Sequence, residues 1–232
     1  EILRCLVGSE MCIRDRMGDH MVLQQNSSVK LWGWADGKKV TVTTSWNNRT
    51  YQASTDKDGT WLVKVDTPEG GYTPYSITIS DGTPVTLSDI LIGEVWICSG
   101  QSNMEMPVAG WGKVMNYEQE VADADYPSIR LLQVKKTVAF SPQENVEMNM
   151  NGWQECSSAT VPEFSSVAYF YARKLWKELN IPVGVIDCTW GGTPVESWTS
   201  HQTLKQVMGF QKKMAEMESA GFRREKLVEV YH

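Results

Sequence analysis

The hydrophobic pattern of this chain changes period close to Ser88, and that change limits the folds open to it. Before Ser88, apolar and polar residues alternate with the two-residue period of half-buried strands, in 29–34, Lys39–Thr44, 60–65 and 75–79. Turn-forming residues separate these runs: Asp36-Gly37, Asn47-Asn48, Asp58-Gly59, the stretch 68–71, and Asp81-Gly82. Short strands at this spacing predict a small antiparallel β-sandwich over 17–88. After Ser88, strand-like runs at 90–98, 129–134 and 183–188 are interleaved with helical patterns. The clearest helix spans 165–179. Phe164, Val167, Ala168, Tyr171, Leu175 and Leu179 recur at helical spacing, Arg173, Lys174 and Lys177 occupy another face, and Asn180 and Pro182 end it. Strand, helix, strand in that order implies a parallel sheet with helices on its faces, an α/β domain over 89–232. The segment 203–230, rich in Lys, Glu and Met, reads as one or two surface helices.

The run 90–98 delivers Ser99-Gly100-Gln101-Ser102-Asn103-Met104. A β-branched strand that breaks at a glycine and exposes a serine is how α/β hydrolases present a nucleophile. The glycine permits the tight turn, and free N–H groups beyond it face any negative charge that develops beside Ser102. An ordinary strand-ending loop is the plain alternative for Gly-x-Ser alone. Met104 stands where a Gly-x-Ser-x-Gly elbow has its second glycine, so this is not that motif.

The block from Gly93 through Gly100-Gln101-Ser102-Asn103-Met104-Glu105-Met106-Pro107 resembles the first sequence block of sialate O-acetylesterases, members of the SGNH/GDSL hydrolase superfamily. A second block, Trp190-Gly191-Gly192-Thr193-Pro194-Val195-Glu196-Ser197-Trp198, is similar to the Gly-Gly-Thr segment of the same family and follows the lead-in Val183-Gly184-Val185-Ile186-Asp187. The resemblance runs from about Met17 to the end of the chain. It implies a flavodoxin-like SGNH hydrolase domain and an acyl transfer through an acetyl-Ser102 intermediate, with no metal or cofactor. Ser102 and Gly192 would donate backbone N–H groups to the oxyanion, with a further contribution from Ser165 at the start of the helix. Gln101, Asn103, Trp111, Trp190, Thr193 and Glu196 flank the two blocks and are the expected substrate contacts.

Composition narrows the partners. A net charge of −6 and the lack of a Lys/Arg run argue against a nucleic-acid surface, and no apolar stretch approaches the length of a membrane span. Ten tryptophans are many for 232 residues. Trp32, Trp34, Trp46 and Trp61 lie in the strand-rich part, where packing is the default role. Trp111, Trp190 and Trp198 flank the motifs, where flat rings suit sugar faces as well as cores. Asp56-Lys57-Asp58-Gly59 lacks the rest of a calcium ligand set and reads as a hairpin turn.

The stretch 1–16 has neither clean periodicity nor a signal-peptide core, and resembles a translated sequencing-adapter read. It is expected to be a non-native leader, and a signal peptide lost with it would put the protein in the secreted or periplasmic space. Without Cys5 and Cys12, the chain keeps Cys98, Cys156 and Cys188, with no zinc-site spacing. Buried thiols are the expected reading, with a disulfide the alternative.

Ester hydrolysis also needs a base and an orienting acid. The chain holds three histidines: His20 in the β-rich part, His201 after Trp198-Thr199-Ser200, and His232. The family takes its catalytic Asp and His from a late Asp-x-x-His block, and no such sequence occurs here. The resemblance therefore implies an amino-terminal fragment whose α/β domain is incomplete, with His201 as base the alternative. Glu105 and Glu196 lie beside the motifs. Glu196 could orient a histidine, and either carboxylate could fix the motif loops by hydrogen bonds. Asp187 ends a strand and is expected to be structural. The chain is thus expected to belong to a carbohydrate O-acetylesterase acting on an acetylated sugar, sialic acid first. Acetylated xylan is the second substrate, and a non-catalytic carbohydrate-binding protein with a remnant hydrolase domain is the rival reading.

Overall fold

A computed structural model describes residues 12–13, 17–138, 146–149 and 152–219. The β-rich part runs through β1 (Cys12–Ile13), β2 (Val22–Gln24), β3 (Ser28–Trp34), β4 (Lys39–Thr44), β5 (Arg49–Ser54), β6 (Thr60–Asp66) and β7 (Gly71–Ser80) into β8 (Pro84–Gly100). Beyond it come α1 (Ser102–Glu105), α2 (Tyr117–Ala122), β9 (Asp125–Gln133), β10 (Gln154–Ser157) and α3 (Ser166–Leu179). The sequence β11 (Val183–Thr189), a 3-10 turn (Val195–Trp198), α4 (His201–Leu204) and α5 (Gln211–Ser219) follows.

The organising element is β8. Between 84 and 92 it pairs antiparallel with β7, and between 94 and 100 it pairs in parallel with β11. It therefore crosses the expected boundary at Ser88 without a break, and the two parts share one strand. The result is a mixed α/β fold with a large eight-stranded sheet, ordered β10-β9-β11-β8-β7-β4-β5 with β2 also on β8; β1, β3 and β6 form a second sheet. Gly93 lets the chain pass: a Cβ there would lie 2.0 Å from the Pro182 carbonyl oxygen, the acceptor of the Glu94 N–H at 3.0 Å. Of the segment expected to be a leader, Cys12 and Ile13 pair with Trp34 and Gly33 of β3; the rest lies outside the described residues.

Two hydrophobic clusters follow from the two-residue period. Leu31, Val40, Val42, Trp61, Val63, Val65, Ile77, Ile79 and Ile90 come from both sheets of the β-rich part and share one core, which continues to Leu132 and Trp153. The alternate residues Ile129 and Leu131 of β9, with Val183 and Val185 of β11, face Phe164, Ala168, Tyr169 and Ala172 instead. Helix α3 is capped as its sequence requires: the Ser165 hydroxyl accepts the Ala168 N–H, and Asn180 takes the left-handed conformation at φ 53°. Its buried face differs from the expected one. Val167, Tyr171 and Leu179 are exposed, while Tyr169 and Ala172 are buried and Leu175 and Trp176 pack on the core. Phe164, Ala168 and Leu175 of the expected face do lie in this core, and Tyr169 and Ala172 share it with Val183 and Val185 of β11. Arg49–Ser54 and Gln154–Ser157 form strands that lack a strong apolar alternation; each is held at a sheet edge by its neighbour.

The three cysteines are free among the described residues. Burial pushes the Cys98 thiol up to about 11 and the Cys156 thiol to about 12, so both are inert small hydrophobes.

Candidate active site

The serine turn begins where β8 ends. Gly100 has φ +146°, a region that side-chain-bearing residues rarely enter, and a Cβ there would meet the Met104 side chain at 2.9 Å. The Met104 and Glu105 N–H groups donate to the Gln101 carbonyl at 2.8 and 3.0 Å, closing α1 directly after the turn. Ser102 is half-buried between exposed Gln101 and Asn103. Its hydroxyl makes no hydrogen bond to any described residue.

The second motif arrives on the adjacent parallel strand. Thr189 of β11 stands opposite Gly100 of β8, and the Trp190 N–H extends the ladder by donating to the Gly100 carbonyl at 2.9 Å. The chain then turns at Gly191-Gly192. A Cβ on Gly191 would lie 3.3 Å from Ser102 Oγ, so the glycine backbone rests beside the serine hydroxyl. Gly192 has φ +76°, is exposed, and would point a Cβ into open space. The turn is pinned from its far side: Thr193 Oγ1 donates to the Trp190 carbonyl at 2.6 Å and accepts the Trp198 Nε1–H at 2.8 Å. The fold thus brings together Ser102, Gly191, Gly192, Thr193, Trp190 and Trp198. Glu196 is half-buried in the 3-10 turn next to them.

Three further groups brace the serine turn. Glu105, at the end of α1, accepts the Gly191 N–H on one carboxylate oxygen and the Lys136 ammonium on the other. Partial burial opposes its ionisation, but the Lys136 and Gly191 donors prevail and hold its carboxyl below the usual range. Ser165 is fully buried; its hydroxyl donates to the Met104 carbonyl at 2.5 Å, and its backbone N–H is bonded to Asp187. Both of its donors are committed within the fold. Through the Met104 carbonyl, Ser165 ties the start of α3 to the serine turn. Asp187, at the carboxyl end of β11, also accepts Thr189 Oγ1 at 2.6 Å and Gln133 Nε2 at 3.1 Å. Burial, with Glu105 nearby, nevertheless pushes its carboxyl above the ordinary value. Lys136 and Gln133 belong to no motif; their one sequence signal is a place at the end of a predicted strand, where parallel sheets carry their sites.

Beside Glu105 opens a cleft of about 380 Å³, lined among others by Trp111, Gln133, Lys136, Glu163 and Asp187. Trp111 is 67% exposed there, a free ring face at the rim. The described histidines are engaged elsewhere: His20 Nδ1 lies 2.7 Å from Asp89, and His201 Nε2 lies 3.3 Å from Glu218. His232 lies outside the described residues. His20, Asp89 and Glu155 bring possible metal-ligand atoms within 4.8 Å of one another. The buried Arg130 guanidinium, 2.6 Å from Asp89 and 3.5 Å from Glu155, already supplies the positive charge at that cluster.

Residues 92–223 match the family model described as a carbohydrate esterase, sialic acid-specific acetylesterase. The chain is 32% identical over 203 residues to a sialate O-acetylesterase of Rattus norvegicus, and 30% identical over 206 residues to that of Homo sapiens. These alignments cover 81% and 82% of the chain but only 37% and 39% of the relatives, so the chain spans under two-fifths of their length. A crystal structure of a carbohydrate acetylesterase from Xanthomonas citri superposes with a TM-score of 0.76 at 28% identity, covering 84% of this chain and 44% of that one.

Proposed function

From the premise that the chain belongs to the sialic acid-specific acetylesterase family of carbohydrate esterases, we propose that it carries the nucleophile and the oxyanion turn of a sugar O-acetylesterase. The observation that supports this most directly is the nearness of Gly191 to Ser102 Oγ, which lies 3.3 Å from where a Gly191 Cβ would stand, although the two motifs are remote in sequence. In this reading Ser102 Oγ attacks the acetyl carbonyl, and the new C–O bond forms as the carbonyl becomes an oxyanion. The backbone N–H groups of Ser102 and Gly192 face that charge; each such donor is worth about 3–4 kcal/mol in the transition state. Collapse expels the sugar alcohol and leaves acetyl-Ser102, which water then hydrolyses. The exposed Trp111 ring and the tryptophans beside Thr193 offer the faces against which a sugar ring would lie. An acetylated sialic acid is the substrate the family assignment favours.

The proton leaving Ser102 needs an acceptor. Among the described residues nothing accepts from its hydroxyl, and His20 and His201 are paired with carboxylates. We assign the base to sequence beyond these 232 residues, since the relatives are more than twice as long. Turnover of p-nitrophenyl acetate by the 232-residue protein and by the full-length parent polypeptide tests this. Negligible hydrolysis by the former, and clear hydrolysis by the latter that S102A abolishes, is the expected result. Robust Ser102-dependent hydrolysis by the 232-residue protein would make His201 or another group here the base. Hydrolysis by the parent that survives S102A would overturn the nucleophile itself.

A further inference from the structure

Glu105 is a carboxylate one helical turn from the nucleophile, held within the fold by two donors from different elements. We infer that Glu105 is a positioning residue for the oxyanion turn, clamping Gly191 against Ser102 while Lys136, beyond β9, holds the carboxylate in place. The inference rests on the proposed acetylesterase reading for its catalytic meaning, but the clamp itself is a matter of geometry.

The Gly191-Gly192 turn has little of its own to hold it. Neither residue has a side chain to pack, and Gly192 sits at φ +76° with nothing near its Cβ position. Such a segment has high conformational freedom, and an oxyanion donor must hold its place to be effective. Thr193 and Trp198 fix the far end of the turn through 2.6 and 2.8 Å bonds. At the near end, the Gly191 N–H is bonded to Glu105, the residue that also closes α1 by donating its own N–H to the Gln101 carbonyl at 3.0 Å. One residue therefore ties the turn carrying the nucleophile to the turn carrying the second donor. An ionised carboxylate suits the task, since charge-assisted bonds are about twice as strong as neutral ones. Lys136 gives the other carboxylate oxygen a partner and so fixes the rotamer. The Gly191 N–H, spent on Glu105, is then unavailable to substrate, which leaves Gly192 as the donor of this turn.

Amide hydrogen exchange of the 232-residue protein, read residue by residue by NMR, tests the clamp without requiring catalysis. E105A is expected to speed exchange at Gly191 about tenfold or more and to loosen 192–193, with the β8–β11 amides unchanged. E105Q keeps an acceptor oxygen and should restore most of the protection, and K136M should loosen the same residues to a smaller degree. In the full-length parent, E105A should lower kcat about tenfold or more at nearly unchanged KM, with E105Q again rescuing. Unchanged exchange at Gly191 in E105A and K136M would overturn the clamp, as would faster exchange spread evenly along β8 and β11. If E105A does not fold, E105Q and K136M carry the test. Should the parent prove inactive or indifferent to S102A, the acetylesterase reading fails while the exchange result still decides the clamp.

Discussion

The Trp190 amide donates to the Gly100 carbonyl over 2.9 Å, one step past the last paired residues of β8 and β11. This bond sets the two motif turns level with each other, because parallel strands in register end at the same height.

The two glycines of the second turn should respond differently to alanine. At Gly191 the added methyl would meet a Glu105 carboxylate oxygen at 2.6 Å and Ser102 Oγ at 3.3 Å. Both are ends of movable side chains, so G191A should fold with little loss of stability but break the Glu105 bond and abolish acetyl-ester turnover in the parent. At Gly192 the methyl meets nothing, but φ +76° must be held by an L-residue. G192A should cost roughly 1–2 kcal/mol in urea unfolding.

Gly93 is a harsher case. The clash of a Cβ with the Pro182 carbonyl oxygen at 2.0 Å is with backbone immediately ahead of β11, and a backbone oxygen cannot swing away as a side chain would. G93A should destabilise by about 3 kcal/mol or more, measured by chemical denaturation, and soluble yield should fall with it.

The cluster joining the two parts predicts a pH dependence. Partial burial opposes the ionisation of Asp89, but bonds from Arg130 and His20 outweigh it and keep its folded pKa below the ordinary value. A depressed carboxyl contributes stability that is present above the unfolded pKa and lost as pH falls through the folded one. The urea midpoint should therefore drop as pH is lowered below about 4, and D89N should flatten that drop while costing about 1–3 kcal/mol near neutrality. Asp187 works the other way. Its carboxyl is raised, chiefly by burial, so its charge opposes folding above its folded pKa and that penalty fades on acidification.

Trp111 tests the sugar contact. Its ring is 67% exposed at the cleft rim and braces little of the core. On the proposed acetylesterase reading, W111A in the full-length polypeptide should raise KM for an acetylated sugar roughly 3- to 10-fold, equivalent to about 1 kcal/mol of ring contact, and leave p-nitrophenyl acetate unaffected. Equal effects on both esters would argue for a structural role.

The parts of this protein legible in its sequence are those governed by local rules. The runs at β3, β4 and β6 alternate because each buries one face, and their bounds follow from the turn residues between them. The ends of α3 follow from Ser165 and Asn180, whose capping involves only near neighbours. The serine turn was visible for the same reason: Gly100 is required by the backbone of its own segment. Tertiary structure decided the rest. β8 is longer than its apolar run because β7 pairs with its polar start, and β5 and β10 are strands because a neighbour's edge holds them. Which side of α3 is buried depended on its packing in the core it shares with β9 and β11. The placing of Gly191 against Ser102, and the Glu105–Lys136 brace behind it, depended on parallel register between strands remote in sequence. Local propensity fixes the segments that carry their own alternation or caps; only the closing of the sheet fixes the edge strands and which residues meet, because those contacts form between groups that share no periodicity or turn.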